Sequence, residues 1–481
     1  MKNYLLSQKE DILKYKNLLC IEVILCLLGC GTLLISHQQT WFIIFFLITL
    51  LQLIIHIVSF FQLEKKLITF PIVFFILSYV FNYGHIPIKA FNMDFGNNVL
   101  FPLWYIRFDV YKEAAIFTLL SQTMLFIGLF FFYKYMMKKH SNSYTNHAIF
   151  NISLKKIQII GIICFLIGII PTLYIDISRL ILFSQGGYTN TFNLNVHDFV
   201  EVIANFFNFS IFALIIGFSN NKRIANTIFC STIIYKVIMM SSGGRGESIV
   251  FLVGLFIVWE NLVYNLSGKQ IIYLILVGYF GLVLLNFIAN VRNISGFYLN
   301  EIVNVFLYSL TDNQIVMALS EFGSTFSTVC FTIASKPGPT FGLNYILPII
   351  LVLPNIGGFN ANVVNQMIYT NHINTYNQPI GGSYIGELFY SFHWAGFLFA
   401  LVLGILLGYI YYRIVISRKN KKYFLYLLAT YITPLLFFWI RGYFGAIYRE
   451  YIWHCGFAIL LVIVFEYLSK RYKKGELKWL K

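Results

Sequence analysis

The sequence has few charged residues, and few of those are acidic. Only 11% of its 481 residues are charged, with 19 Asp and Glu against 35 Lys and Arg, whereas a soluble domain carries about 25%. Hydrophobic residues make up 58% of the chain, and the mean hydropathy is +0.73. This composition excludes an ordinary soluble protein and is typical of a chain that crosses a membrane many times.

The motifs that usually hold a metal or a nucleotide are also missing. The seven cysteines form no CxxC pair, the histidines form no HExxH, and there is no GxxxxGK[ST], dinucleotide fingerprint or DxD. Most cysteines lie inside apolar runs, where they pack as small hydrophobic side chains. We therefore expect no metal, no cofactor and no nucleotide substrate.

Apolar runs of roughly 18–22 residues dominate the sequence and predict transmembrane helices. We expect an all-α polytopic bundle of about twelve spans that forms one domain over 1–481. The N-terminal MKNYLLSQKEDILKYKN is polar and basic, so no cleavable signal peptide is predicted. The spans are predicted near 18–36, 41–62, 67–83, 114–133, 157–175, 202–219, 225–241, 248–265, 271–290, 395–412, 424–440 and 451–468.

Basic residues are distributed unevenly between alternate connections. With both termini in the cytoplasm, 25 of the 35 basic residues fall in cytoplasmic segments, nine fall in outer segments, and Lys236 lies within a span. This is the positive-inside pattern of a multi-pass membrane protein. The net charge of +16 is therefore an orientation signal, and no nucleic-acid partner is expected.

Lysine and arginine also differ between the two sides. The cytoplasmic segments hold 21 Lys and 4 Arg, and the outer segments hold 3 Lys and 6 Arg. Because guanidinium groups grip phosphate through two hydrogen bonds, the outer arginines indicate an anionic ligand near the lipid headgroups. Five of them are candidate diphosphate-binding residues: Arg179, Arg245, Arg292, Arg441 and Arg449. Arg107 is a weaker sixth candidate.

One outer segment, 293–394, is far longer than any other connection. Within it, 315–335 is long enough to span but rich in Ser and Thr, and 344–355 is too short to cross. Both are predicted to be interfacial or re-entrant helices, with a transmembrane pair as the alternative. The remainder is rich in Asn and Gly, which suits sugar hydroxyls but is also common in flexible loops.

Two outer hairpins carry candidate binding residues. SSGGRGESIV (241–250) places Arg245 at the start of a span, where the helix N-terminus also favours an anion, with Glu247 beside it. WIRGYFGAIYREYIWH (439–454) would bring Arg441 and Arg449 together if the connection is short, next to Tyr443 and Glu450. The alternative for the first hairpin is a snorkelling Arg245 paired with Glu247, and for the second hairpin it is headgroup anchoring.

A third stretch, QPIGGSYIGELFYSFHWAGF (378–397), carries candidate general bases. Glu387 and His393 lie six residues apart and so flank a helix instead of stacking on one face. Either one, or Glu247 or Glu321, is suited to deprotonating or orienting a hydroxyl group. An interfacial anchor is the alternative role for His393. The candidate catalytic residues are Arg245, Glu247, Glu321, Glu387 and His393.

These stretches together resemble a known family. GGRGE after a mid-chain span, the long outer loop, GGSYIGELFYSFHWAG and the late IRGYFGAIYRE are similar to the O-antigen and capsular repeat-unit polymerases of the Wzy type, over roughly residues 170 to 455. The resemblance implies transfer of a growing glycan from undecaprenyl diphosphate to the non-reducing sugar of a new lipid-linked repeat unit. It also implies a fold akin to the lipid-dependent GT-C glycosyltransferases, with a flippase and a chain-length regulator as candidate partners.

Three other functions remain open. An O-antigen ligase uses the same donor but another acceptor. A repeat-unit flippase would show paired repeats and charges at mid-membrane, whereas this chain is asymmetric and charged at its outer rim. A membrane O-acyltransferase needs a histidine deep in a span, for which His56 and His454 are the only weak candidates.

Overall fold

All regular secondary structure in the described residues is helical. The computed structural model describes residues 2–93, 103, 105–140, 152–240, 242, 245–291, 299–311, 313–353, 369 and 381–473. These contain helices and no strand, which confirms the all-α class. The helices are α1 (Lys2–Gly31), α2 (Gln38–Glu64), α3 (Phe70–Tyr83), α4 (His85–Ala90), α5 (Phe108–His140), α6 (Leu154–Asn190), α7 (Asp198–Ala204), α8 (Phe206–Gly217), α9 (Lys222–Met240), α10 (Arg245–Leu262), α11 (Gly268–Val291), α12 (Leu299–Thr311), α13 (Gln314–Gly323), α14 (Phe326–Ser335), α15 (Leu343–Ile346), α16 (Tyr384–Phe392), α17 (Gly396–Lys419), α18 (Tyr423–Trp439) and α19 (Gly445–Lys473).

Each predicted span overlaps at least one of these helices. In the described part of the chain, nine helical stretches are long and apolar enough to cross a membrane, and four shorter ones are apolar. The chain is therefore a multi-pass membrane protein, while the number of about twelve crossings stays a prediction. The nine stretches are Asn17–Leu34, Gln38–Glu64, Phe108–Lys139, Leu154–Gln185, Phe199–Gly217, Lys222–Met240, Gln314–Ser335, Tyr384–Lys419 and Gly445–Ser469.

Glycines hold α5 and α17 in close contact. A Cβ on Gly404 of α17 would lie 2.2 Å from the carbonyl oxygen of Leu125 in α5, and a Cβ on Gly128 would lie 2.2 Å from that of Leu401. Only glycine fits this seam, because the two backbones touch directly, as small residues allow in membrane helix pairs. The seam joins an early helix to a late one and organises the larger of the two apolar cores.

A second apolar core forms where α6, α8, α9, α10, α18 and α19 pack together. Gly168 of α6 lies against Phe207 of α8, and Gly254 of α10 lies against Pro434 of α18. Pro434 lies inside α18 and Gly254 inside α10, so α10 and α18 contact each other along their middles. This contact sets the start of α10 beside the end of α18.

Part of the long outer segment packs onto the bundle. A Cβ on Gly323 in α13 would lie 2.6 Å from the backbone nitrogen of His85, and α14 contacts both α5 and α16. The 315–335 stretch forms two helices, α13 and α14, with a turn at Ser324 and Thr325 between them. Whether this stretch is interfacial, re-entrant or spanning stays a prediction.

The end of the bundle opposite the start of α10 is tied by ion pairs. Lys66 Nζ lies 3.4 Å from Glu260 Oε1, near the end of α10, and Arg418 Nη2 lies 4.0 Å from Glu64 Oε2. Tyr133 also donates a hydrogen bond to Glu64. These contacts involve residues that the positive-inside pattern predicts to be near the cytoplasm.

A buried polar cluster joins the first helices. Glu22 Oε1 accepts hydrogen bonds from Gln52 Nε2 at 2.9 Å and Thr123 Oγ1 at 3.0 Å, and lies 3.1 Å from His56 Nε2. All four side chains are buried. Hydrogen bonds between polar side chains join transmembrane helices in this way, so His56 links α2 to α1.

Candidate functional site

Arg245 is the first residue of α10, and an ion pair fixes its guanidinium. Its Nη2 donates to Glu321 Oε1 on α13 at 2.7 Å. The Arg245 side chain is 10% exposed and that of Glu321 is 50% exposed. The sequence predicts both residues as site candidates without joining them, and the structure brings them together. Three residues of the preceding hairpin, Ser241, Gly243 and Gly244, lie outside the described residues.

Arg441 reaches the same helix end from the opposite side. A Cβ on Gly246 would lie 3.0 Å from Arg441 Nη1, so the guanidinium rests on the backbone of the first turn of α10. Its Cζ is 5.8 Å from the centroid of the Phe81 ring, and its carbonyl oxygen accepts from the Gly382 nitrogen at 2.9 Å. Two predicted hairpins therefore meet at one helix N-terminus.

Glu387 holds the turn that carries Arg441. Its Oε2 accepts from Trp439 Nε1 at 2.7 Å and from the Phe444 nitrogen at 3.0 Å, and its Oε1 accepts from Asn344 Nδ2 at 3.2 Å. The residue is 1% exposed, because α16 places it directly behind the 440–444 turn. Both carboxylate oxygens therefore accept hydrogen bonds from the protein. Two of the donors, Trp439 and Phe444, flank Arg441 in the sequence.

His393 lies outside this arrangement. Its Nε2 is hydrogen-bonded to the carbonyl oxygen of Pro337, and its ring stacks on Phe389. It follows α16 with φ of 51°, a backbone conformation that is rare for residues other than glycine. We infer a role in ending α16 before α17 begins.

A cavity of about 260 Å³ opens on the other side of the first turn of α10. Helices α6, α7, α8, α9, α10, α18 and α19 all contribute to its wall. Its charged lining residues are Asp176, Arg179, Glu201, Lys236, Glu247 and Glu450. Of these residues, Arg179 and Glu247 are predicted candidates. Asp176, Glu201 and Lys236 have no predicted role. An ionisable residue inside an apolar helix, such as Lys236, is itself a signal of function.

The charges in this cavity interact without pairing closely. Lys236 experiences the fields of Asp176, Glu247 and Glu450, and Glu450 experiences those of Glu247, Arg449 and Glu201. In the described part of the chain, neither the ammonium of Lys236 nor the carboxylate of Glu450 has a hydrogen bond or close ion pair. Asp176 differs, because it accepts a hydrogen bond from Tyr235.

The other predicted arginines are spread around the site. Arg449 precedes Glu450 on α19 and acts electrostatically on it and on Tyr443. Burial raises the pKa of Tyr443, so its hydroxyl keeps its proton. Arg292 lies outside the described residues. Arg107 is 81% exposed and paired with Asp109 at 2.6 Å.

The remaining histidine candidate is fully engaged. His454 is buried, with Nδ1 at 2.8 Å from the Tyr431 hydroxyl and Nε2 at 3.1 Å from the Val202 carbonyl oxygen. Both ring nitrogens therefore have partners within the protein. Among the described residues, no group of three or more His, Cys, Asp or Glu side chains is arranged to hold a metal ion.

Comparison with known proteins bears on the whole chain. No curated protein and no solved structure matches it, so the likeness to the GT-C fold stays a prediction. Residues 18–473 match the family described as O-antigen polysaccharide polymerase Wzy. This match includes the first four spans, which carry no recognisable motif of their own. The chain therefore belongs to the O-antigen polysaccharide polymerase family, whose members are glycosyltransferases that polymerise lipid-linked repeat units for surface polysaccharide.

Proposed function

We propose that Arg245 and Arg441 bind the diphosphate of the donor glycolipid at the outer face of the cytoplasmic membrane. The observation that carries this proposal is their convergence on the first turn of α10, with Arg441 Nη1 3.0 Å from the Cβ position of Gly246. Glycine lets the guanidinium approach the backbone closely. The helix N-terminus adds free backbone N–H groups and a partial positive charge, which favour an anion.

The ion pair with Glu321 keeps Arg245 ready for this ligand. Glu321 is half-exposed and accepts a hydrogen bond from Nη2 of Arg245. An arriving diphosphate carries more negative charge than one carboxylate, so it competes well with Glu321 for the guanidinium. Glu387 serves as a positioning residue, since it fixes the turn that carries Arg441.

The orientation of the bundle supports an outer location. The arginine pair lies at the start of α10, whereas the Lys66–Glu260 pair lies at its other end. Lysine-rich connections cluster at that second end, which the positive-inside rule assigns to the cytoplasm. Both termini are then cytoplasmic.

The reaction needs no nucleotide at this site. A hydroxyl of the non-reducing sugar of a new lipid-linked repeat attacks the anomeric carbon of the growing chain. The bond from that carbon to the diphosphate oxygen breaks, and the undecaprenyl diphosphate leaves with the electron pair. Arginines placed at the leaving group stabilise its charge in the transition state more than in the ground state.

The purified chain in lipid nanodiscs provides the test. Given only the lipid-diphosphate-linked repeat unit extracted from cells that lack this protein, it should form a ladder of products one repeat apart. The same cells should carry surface glycans one repeat long. Transfer to another acceptor without a ladder would instead indicate a ligase, and movement of the lipid across the bilayer without transfer would indicate a flippase.

A further inference from the structure

The first turn of α10 has two functional sides. On one side, Arg245 and Gly246 form the proposed diphosphate site with Arg441. On the other side, Glu247 and Ser248 line the cavity described above. The end of α18 is divided in the same way, because Phe438 lines the cavity and Arg441 lies on Gly246. The cavity is therefore next to the proposed diphosphate site and separate from it.

The charge of the cavity excludes a second diphosphate. Four carboxylates line it against two cations, Arg179 and Lys236, so the lining carries excess negative charge when these groups are ionised. These carboxylates would repel an anionic ligand bound in the cavity. A metal ion is also a poor fit, because no three of the described acidic, histidine or cysteine side chains are arranged as ligands.

The polar atoms of the cavity have unused hydrogen-bonding capacity. Asn208 Oδ1 is buried and has no hydrogen-bond partner, while Asn208 Nδ2 donates to Asn205 Oδ1 at 3.2 Å. Lys236 and Glu450 are half-buried and line the cavity, and in the described part of the chain neither side chain forms a hydrogen bond. Buried polar groups without partners are costly, so the cavity suits a ligand that supplies several donors and acceptors.

Aromatic and apolar side chains complete the wall. Phe251, Tyr431 and Phe438 line the same cavity as the carboxylates, and Lys236 Nζ lies 4.9 Å from the centroid of the Phe251 ring. Apolar walls with a few placed polar groups are typical of small-molecule sites. A ligand with an apolar ring face and hydroxyl groups at its edge matches both features.

We propose that this cavity binds the terminal sugar of the acceptor repeat unit and that Glu450 accepts the proton of its attacking hydroxyl. This inference rests on the proposed function. About 260 Å³ approaches the lower end of ligand pockets, about 300 Å³, which suits one sugar ring better than a whole repeat unit. Donor and acceptor would then meet across the first turn of α10.

Glu450 is the carboxylate best placed for this step. Asp176 already accepts a hydrogen bond from the Tyr235 hydroxyl. Glu201 already interacts with another group of the protein, and the side chain of Glu247 is exposed. Glu450 is half-buried in the cavity wall, and no described residue donates a hydrogen bond to its carboxylate. In the transfer, the hydroxyl oxygen forms the new bond to the anomeric carbon, its proton passes to the Glu450 carboxylate, and the diphosphate leaves with the electrons of the broken bond.

The test separates acceptor from donor. Mild acid releases the repeat unit from its lipid, and this soluble oligosaccharide then serves as acceptor at varied concentration with the lipid-linked repeat as donor. Glu450→Gln should lower kcat by about 10²-fold or more, the usual contribution of a general base, and Glu450→Asp should restore part of it. Asn208→Ala should raise KM for the oligosaccharide with a smaller effect on kcat. Glu466→Gln, at an exposed position on the same helix, is the matched control and should behave as wild type.

Binding of undecaprenyl diphosphate itself provides the second readout. Glu450→Gln and Asn208→Ala should bind it as the wild type does, which also shows that both variants fold. A near-wild-type kcat for Glu450→Gln would overturn the role of Glu450, and an unchanged KM for Asn208→Ala would overturn the cavity as the acceptor site. Neither result would affect the proposed function, which is tested separately by ladder formation in the wild type and by variants at the arginine pair.

Discussion

Arg441 lies directly on Gly246, so a Cβ at position 246 would be 3.0 Å from Arg441 Nη1. Arg441 is flexible enough to move aside, and alanine is the better helix former by about 0.5–1 kcal/mol. We therefore expect Gly246→Ala to leave the unfolding temperature equal or higher while lowering polymerisation by about 10-fold to 10²-fold, as displaced binding groups do.

Gly278→Ala is the control for this substitution, because a Cβ at Gly278 meets nothing within 4 Å. Ladder formation and thermal unfolding are measured on both variants in nanodiscs. Full activity in Gly246→Ala would show that the position of Arg441 does not matter for transfer.

Arg245→Lys keeps the charge at the start of α10 but loses the planar fork. We expect about a 10²-fold loss of polymerisation, the scale of one lost charge-stabilising donor, measured as the initial rate of ladder formation. Arg107→Lys is the matched control, since Arg107 is 81% exposed and paired only locally with Asp109. Equal rates for the two variants would remove Arg245 from the site.

Glu387→Gln distinguishes positioning from catalysis. The amide would turn an N–H toward one of the donors now bonded to the carboxylate, leaving a buried donor unsatisfied at a cost of about 1–3 kcal/mol. The unfolding temperature should fall. Trp439→Phe removes the 2.7 Å donor to the same carboxylate and should lower activity in parallel. If Glu387 were the general base, Trp439→Phe would stay active while Glu387→Gln lost its transfer rate.

Gly404→Val tests the seam between α5 and α17. The added side chain meets the Leu125 carbonyl oxygen, starting from a Cβ only 2.2 Å away, and a backbone contact cannot relax by rotating a side chain. We expect a loss of at least about 1–3 kcal/mol and little folded protein in detergent. Gly456→Val, on α19 where a Cβ meets nothing within 4 Å, should fold normally; equal yields of both would contradict the tight packing.

Local sequence patterns were sufficient for the helices but not for all their ends. Apolar run length depends only on neighbouring residues, so the predicted spans coincide with helices. The breaks do not follow from hydropathy: α7 ends at Ala204 and α8 begins at Phe206, within one predicted span. Packing against other helices determines where such breaks occur. The residues that make these packing contacts are distant in the sequence, so a local pattern does not reveal the breaks.

The candidate site shows the same division. The excess of arginine over lysine on one side predicts five binding residues, Arg245 and Arg441 among them, because side-chain chemistry and topology can both be read locally. The pairing of Arg245 with Glu321, and the arrangement of Asp176, Lys236 and Glu450 around one cavity, depend on which helices become neighbours. The sequence predicts Arg179 and Glu247 as candidates and places Lys236 within a span, but nothing in the sequence joins these residues in one cavity.

The seam between α5 and α17 has a consequence for biosynthesis. Helix α5 is made early, but the backbone that fits against Gly128 belongs to α17 and is synthesised much later. Until then the glycine-lined face of α5 has only lipid or temporary partners beside it. A nascent chain that stops before Gly396 lacks all of α17, so we expect the contact between α5 and α17 to form only late in synthesis.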